Sequence, residues 1–212
     1  MDFYRVVRDR SEELIEEASK YRYDEGEYYM RRGTFNSEGL SDIEYAALLL
    51  YLNKTAYNGL YRVNSKGEFN VPFGRYVDPT IVKPRSIARA SRLLKNVEIH
   101  SEGFDYILDV AEEGDLCYLD PPYHPASETA NFTDYASNGF GIGDQERLRD
   151  VCVELNRRNV ALVLSNSDTK VVRDLYGGIP GFEMVSFRTR RMISSKVSSR
   201  NSGYDLLITN NA

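Results

Sequence analysis

The sequence has 212 residues, of which 42% are hydrophobic and 28% charged, with a net charge of −5. This is the balance of one globular domain, or one domain with a sub-domain, and it excludes a disordered chain. The longest apolar run, residues 46–52, is too short to span a bilayer, and the charged start does not read as a signal peptide. Two distant cysteines without a CxxC exclude zinc ribbons and disulfide scaffolds, so a reducing, cytoplasmic setting is expected.

In chain order, Phe3 to Tyr21 predicts a helix, and the polar, Gly-containing stretch Asp24 to Glu38 predicts a loop. Ser41 with Glu44 forms a capping-box pattern ahead of an apolar face made by Ile43, Ala46, Ala47 and Leu50, so a helix is expected to about Thr55. Val63 to Phe69 reads as a hairpin turning at Gly67, and Ser86 to Leu94 as a short basic helix. The pattern then changes to alternating strands and helices. Strands are expected at Val97–His100, Asp115–Leu119, Val160–Ser165, Phe182–Arg188 and Tyr204–Thr209. Helices are expected at Gln145–Arg158 and at Thr169–Tyr176, the latter stopped by Gly177 and Gly178. The fully apolar Val160–Ser165 is of the kind buried in a parallel sheet. The alternation predicts an α/β, doubly wound sheet that binds ligands at the carboxyl ends of its strands. The predicted division is residues 1–96 and 97–212.

Charge is uneven. Residues 53–95 hold nine basic and two acidic residues, a net +7, and residues 186–200 hold five basic residues and no acid. Such zones on an acidic protein suit phosphate contacts, and they equally suit a solvated basic surface. Sixteen tyrosines and no tryptophan add side chains that both stack and hydrogen-bond.

The sharpest chemical feature is Asp120-Pro121-Pro122-Tyr123, directly after the apolar strand ending at Leu119. Two prolines fix the backbone and carry no N–H, which leaves carbonyls free to face a cleft. The Asp120 carboxylate and the Pro121 carbonyl are two acceptors, suited to the two hydrogens of an exocyclic amine. Tyr123 offers a flat face for a ring. The bland alternative is a strand-to-loop corner with a surface aspartate. His100 and His124 have no second ligand at metal spacing and read as non-catalytic; no metal is expected.

With Asn131-Phe132-Thr133-Asp134-Tyr135 downstream, this corner resembles the DNA adenine-N6 methyltransferase (Dam) family. Residues 57–62 and 67–76 resemble that family's target-recognition segment; Leu164-Ser165-Asn166 and Arg190 to Ser195 resemble its later motifs. The resemblance runs from near Phe3 almost to the C-terminus in the family's order. It implies a Rossmann-like S-adenosylmethionine-dependent methyltransferase sheet with an inserted helical and hairpin recognition sub-domain. It also implies methyl transfer to adenine N6 in double-stranded DNA, at GATC, on a base flipped out of the duplex. Asp120, Pro121, Pro122 and Tyr123 would hold that base. Arg62 would read a guanine edge, and Tyr57 and Asn58 would lie where the adenine leaves the stack. Leu60 and Pro72 would touch a thymine methyl, and Arg75, with Lys54 and Lys66, would bind phosphates. Asn131 and Tyr135 would belong to a loop closing over the base. Asp120 and Phe104 would contact the cofactor, although Phe104 suits core packing as well.

One departure from the family pattern matters. The Trp-x-Gly-Gly-Lys and Phe-x-Gly-x-Gly elements that begin family members are not found in this sequence; Gly139-Phe140-Gly141-Ile142-Gly143 comes after the catalytic strand. About a quarter of a usual member is therefore expected to be missing, including the first strands of the sheet. Three readings follow: an active methyltransferase, a catalytically incompetent DNA-binding fragment, or one part of a split enzyme with a separate N-terminal polypeptide.

Overall fold

The computed structural model describes residues 3–125, 139–190 and 202–211. The chain divides into two compact units, residues 1–101 and 102–212, each with its own apolar core.

The first unit is built from helices α1 (Phe3–Asp9), α2 (Ser11–Ala18), α3 (Glu25–Phe35), α4 (Asp42–Thr55) and α5 (Pro84–Leu94). The single helix expected over Phe3–Tyr21 is broken at Arg10, whose backbone leaves helical geometry. The break lets α1 lie against α5 while α2 lies against α4. Helix α4 begins with the anticipated capping box between Ser41 and Glu44. It is apolar nearly all round because it is central: Ala46, Ala47, Leu48, Tyr51 and Leu52 are buried.

The loop expected at Asp24–Glu38 is instead helix α3. Asp24 caps it by accepting from the Glu27 N–H at 2.9 Å, and Tyr28 and Phe35 bury one side. A cap and two buried aromatics outweigh the helix-weakening Gly26 and Gly33.

The hairpin is present, with Val63 bridging Phe69 and Gly67 in the left-handed region at φ +80°. Its return strand is tied to α3 through peptide groups. The Asn36 amide donates to the Phe69 carbonyl at 3.0 Å and accepts from the Phe69 N–H at 2.8 Å. The Tyr28 hydroxyl and the Arg32 guanidinium both donate to the Val71 carbonyl, at 2.8 and 3.2 Å.

Val97–His100 is not a strand. The carbonyls that a ladder would use are taken by α1: Arg8 donates to Val97 and Arg5 to Ile99.

The second unit contains α6 (Ile107–Val110), β1 (Leu116–Leu119), α7 (Ile142–Arg157), β2 (Ala161–Ser167), α8 (Lys170–Tyr176), β3 (Phe182–Arg190) and β4 (Ser202–Asn210). The strand order is β1-β2-β4-β3. β1 and β2 are parallel, whereas β4 runs antiparallel to both neighbours. The sheet is therefore mixed: β1 and β2 form its parallel part, and β4 reverses direction between β2 and β3. β3 and β4 pair antiparallel, so that pair is not a parallel crossover unit.

One sheet face packs Cys117, Leu162, Leu164, Leu206 and Ile208 against α7 and α8. Alternate residues point the other way, and there Leu116 and Tyr118 remain 69% and 65% exposed, with Val185 and Phe187 also exposed. No helix among the described residues is long and apolar enough to cross a membrane.

Candidate active site

β1 and β2 run side by side in register, with Leu119 opposite Leu164, so their carboxyl ends bring Asp120 next to Ser165. The Ser165 hydroxyl donates to Asp120 Oδ1 at 2.8 Å. Asp120 Oδ2 and the Pro121 carbonyl have no hydrogen-bond partner among the described residues. Two acceptors thus remain at the corner, one on a side chain already held by its other oxygen.

The corner is fixed from beneath by a buried amide network. Gln145 on α7 donates to the Pro122 carbonyl at 3.0 Å. Asn166 donates to the Gln145 side-chain oxygen at 3.0 Å and accepts from the backbone N–H of His124 at 2.9 Å. Both amides are essentially inaccessible to water, and each is satisfied, as buried polar groups must be. The Pro122 carbonyl is therefore an anchor point, and the Pro121 carbonyl is the open one.

Asp120, Pro121 and Pro122 line a cavity of about 430 Å³ whose other walls include Phe104, Tyr118 and Phe140. Phe104 and Phe140 meet at 5.6 Å between ring centroids. Arg147 lies over the Phe104 ring at 4.8 Å and pairs with Asp105 at 2.9 Å. Phe104 is thus half-exposed beside Asp120, with the Arg147 guanidinium over its ring. Tyr123 lies outside this lining, beside Ser165, and partial burial raises its phenol above the usual value. His124 is held through its backbone, His100 sits beside Glu98, and no group of three potential ligands could hold a metal among the described residues. Asn131 and Tyr135 lie outside the described residues.

Ser165, Gln145, Phe140 and Arg147 have no assigned role in the sequence reading. Ser165 and Asn166 do leave a signal: they are polar residues ending an apolar strand. Gln145 leaves none, because it lies on α7, 25 residues beyond Asp120.

In the first unit, Tyr57, Asn58, Pro72 and Arg75 line a second cavity, of about 480 Å³, together with Tyr29 and Tyr76. The floor of this cavity is a backbone crossing. The Tyr57 N–H donates to the Pro72 carbonyl at 2.9 Å, and the Gly74 N–H to the Thr55 carbonyl at 2.8 Å. A Cβ on Gly74 would lie 2.7 Å from the Ala56 carbonyl oxygen, so only glycine fits. Asn58 adopts φ +53°, a turn geometry that asparagine tolerates.

Leu60 and Arg62 lie outside that cavity, on the outgoing arm of the hairpin. Arg62 is oriented by Asn70 on the return arm, through Nε to Oδ1 at 2.7 Å and Nη2 to the Asn70 carbonyl at 3.3 Å. Its Nη1 edge stays open. Tyr57 and Leu60 are 51% and 39% exposed, and Pro72 is exposed, so none of them is a core residue. Arg75 lies 3.8 Å from Glu25 in an exposed pair.

A family model for D12 class N6 adenine-specific DNA methyltransferases matches residues 1–193. The chain belongs to this family. It is 38% identical over 214 residues to the type II methyltransferase M1.LlaDCHI of Lactococcus lactis subsp. cremoris, covering 98% of the chain and 74% of the relative. It is 39% identical over 220 residues to the type II methyltransferase M.MjaIII of Methanocaldococcus jannaschii, covering 98% and 75%. To the DNA adenine methylase of Escherichia coli K12 it is 34% identical over 211 residues, covering 98% and 74%.

Proposed function

We propose that this chain methylates adenine N6 in duplex DNA at GATC, with S-adenosylmethionine as donor, in the cytoplasm. The carrying observation is the Asp120 corner: a carboxylate with one oxygen held by Ser165, the other open, on the wall of an aromatic-lined cavity. An adenine flipped into reach of this corner donates hydrogen bonds from its two N6 hydrogens to Asp120 Oδ2 and the Pro121 carbonyl. Those contacts draw the N6 lone pair out of ring conjugation. They also fix its direction, so positioning and preorganised acceptors do the catalytic work. Tyr123 offers its ring to the base.

S-adenosylmethionine, when bound, supplies an electrophilic methyl group on a sulfonium centre. The residues present suit part of it: Phe104 and Phe140 for an adenine ring, Asp120 for a cationic group. On the helical unit, Arg62 presents its open Nη1 edge to a guanine, Tyr57 and Asn58 attend the opened base step, Leu60 and Pro72 contact thymine methyls, and Arg75 binds phosphate.

A second reading is favoured by the apolar side of β1, where Leu116 and Tyr118 are exposed, and by the place of β1 at the edge of the sheet among the described residues. In it, a separate polypeptide completes the sheet and the chain transfers methyl groups only in its company. A chain that binds DNA and transfers nothing is the limiting case.

The test is incubation of the chain with labelled S-adenosylmethionine and a randomised duplex library, followed by mapping of modified bases. N6-methyladenine confined to GATC supports the reading, and modification of another sequence removes GATC. Asp120→Ala is expected to abolish transfer and leave duplex binding intact. Unchanged turnover in that variant removes the role of the corner.

A further inference from the structure

Helix α5 carries Arg85, Arg89 and Arg92 and no acidic residue. At 3.6 residues per turn the three arginines fall within about 60° of arc. They lie opposite Ile87, Ala90 and Leu94, which pack against the core of the first unit. All three are exposed, and among the described residues none has a hydrogen-bond, ion-pair or ring partner. Several other exposed arginines are paired with acids, as in Arg10 with Glu13, Arg157 with Glu154 and Arg173 with Asp168, whereas α5 offers its three no acid at all.

The arrangement is unfavourable for the helix alone. Lys83 at the N-cap and Arg85 in the first turn stand where the helix dipole repels cations, and no side chain caps that end. Arg85 and Arg89 are four residues apart, a spacing at which like charges repel. An external polyanion reverses both effects.

We infer that this arginine face of α5 is a phosphate-binding surface for duplex DNA, separate from the hairpin. The inference rests on the DNA reading above. α5 belongs to the same compact unit as the hairpin and its cavity. The stripe from Arg85 to Arg92 covers about 10 Å of helix axis. A duplex presents one charge per ~1.7 Å, so each guanidinium has phosphates within reach. An anionic membrane is the poorer occupant, because the apolar side of α5 is spent on the core and cannot insert.

The experiment compares the full chain with its R85Q/R89Q/R92Q variant by fluorescence anisotropy on short duplexes with and without GATC, across a salt series. Vesicles of phosphatidylserine and phosphatidylcholine serve as a parallel probe. Three lost phosphate contacts lower the magnitude of the salt slope by about 2–3 and weaken both duplexes by the same factor, on the order of 10-fold or more. An unchanged slope, while the parent chain still binds duplex, overturns the inference and leaves the DNA reading standing. A parent chain that binds neither duplex overturns both. Loss confined to the GATC duplex also overturns it, by marking the arginines as base readers. Loss of vesicle binding with duplex binding unchanged does so in favour of a lipid partner.

Discussion

Ser165 Oγ donates to Asp120 Oδ1 across the ends of two parallel strands, at 2.8 Å. One carboxylate oxygen is thereby committed, and the orientation of the other is set. Ser165→Ala removes the tether and leaves Asp120 in place. Methyl transfer is expected to fall about 10-fold in kcat, from about 1.4 kcal/mol of lost positioning. Duplex KM should stay within twofold. Single-turnover assays with labelled S-adenosylmethionine, beside binding isotherms, separate the two; a pure KM effect contradicts the tether.

Arg62 and Asn70 form the corresponding pair on the hairpin. Arg62→Ala is expected to cost about 1–3 kcal/mol of discrimination at one guanine position. Asn70→Ala keeps the guanidinium but frees it to rotate, so it should lose a fraction of that discrimination. Competition between duplexes substituted one base at a time measures both. Equal weakening on all sequences would reassign Arg62 to phosphate.

Gly74→Ala places a Cβ 2.6 Å from the Tyr76 ring and 2.7 Å from the Ala56 carbonyl oxygen. Backbone must move to admit it, at a cost of about 1–3 kcal/mol. The denaturant midpoint should fall, and the cavity lined by Tyr57 and Pro72 should widen. A variant of parental stability would show that this crossing is looser than the distances imply.

Glu154 accepts from both Arg157 and Arg158, and the two guanidinium groups hold its carboxyl at about 2. A folded pKa below the unfolded value of about 4.3 means that the stabilisation is complete above that value. It is lost as pH falls through the folded pKa. The stability difference between the parent and Glu154→Gln should therefore be flat above about pH 5 and shrink steadily towards pH 2. Chemical denaturation across that range checks it; a difference that grows on acidification would contradict the pairing.

Local sequence signals located the α4 cap, the hairpin at Gly67 and the strand that ends at Asp120, because each is written within a few neighbouring residues. Helix α3 was hidden by its two glycines and many charges, since its stability comes from Tyr28 and Phe35 buried against distant partners. Val97–His100 has strand-like residues, yet Arg5 and Arg8 claim its carbonyls from the far end of the unit. The mixed sheet was equally illegible: an apolar strand such as β2 looks the same whichever way its neighbours run. At the site, the Asp120 corner was readable as a motif. Its tether to Ser165 depends on strand register, and the Gln145 prop depends on where α7 crosses.

The anchors of the hairpin suggest how new targets arise in such a protein. Asn36, Tyr28 and Arg32 grip peptide groups of Phe69 and Val71 on the return arm, and among the described residues none of these three bonds to a side chain of the outgoing arm. Under the proposed reading of the hairpin, substitutions along that arm rewrite the preferred letters of the duplex while the scaffold beneath stays unaltered, which separates the evolution of specificity from the evolution of stability.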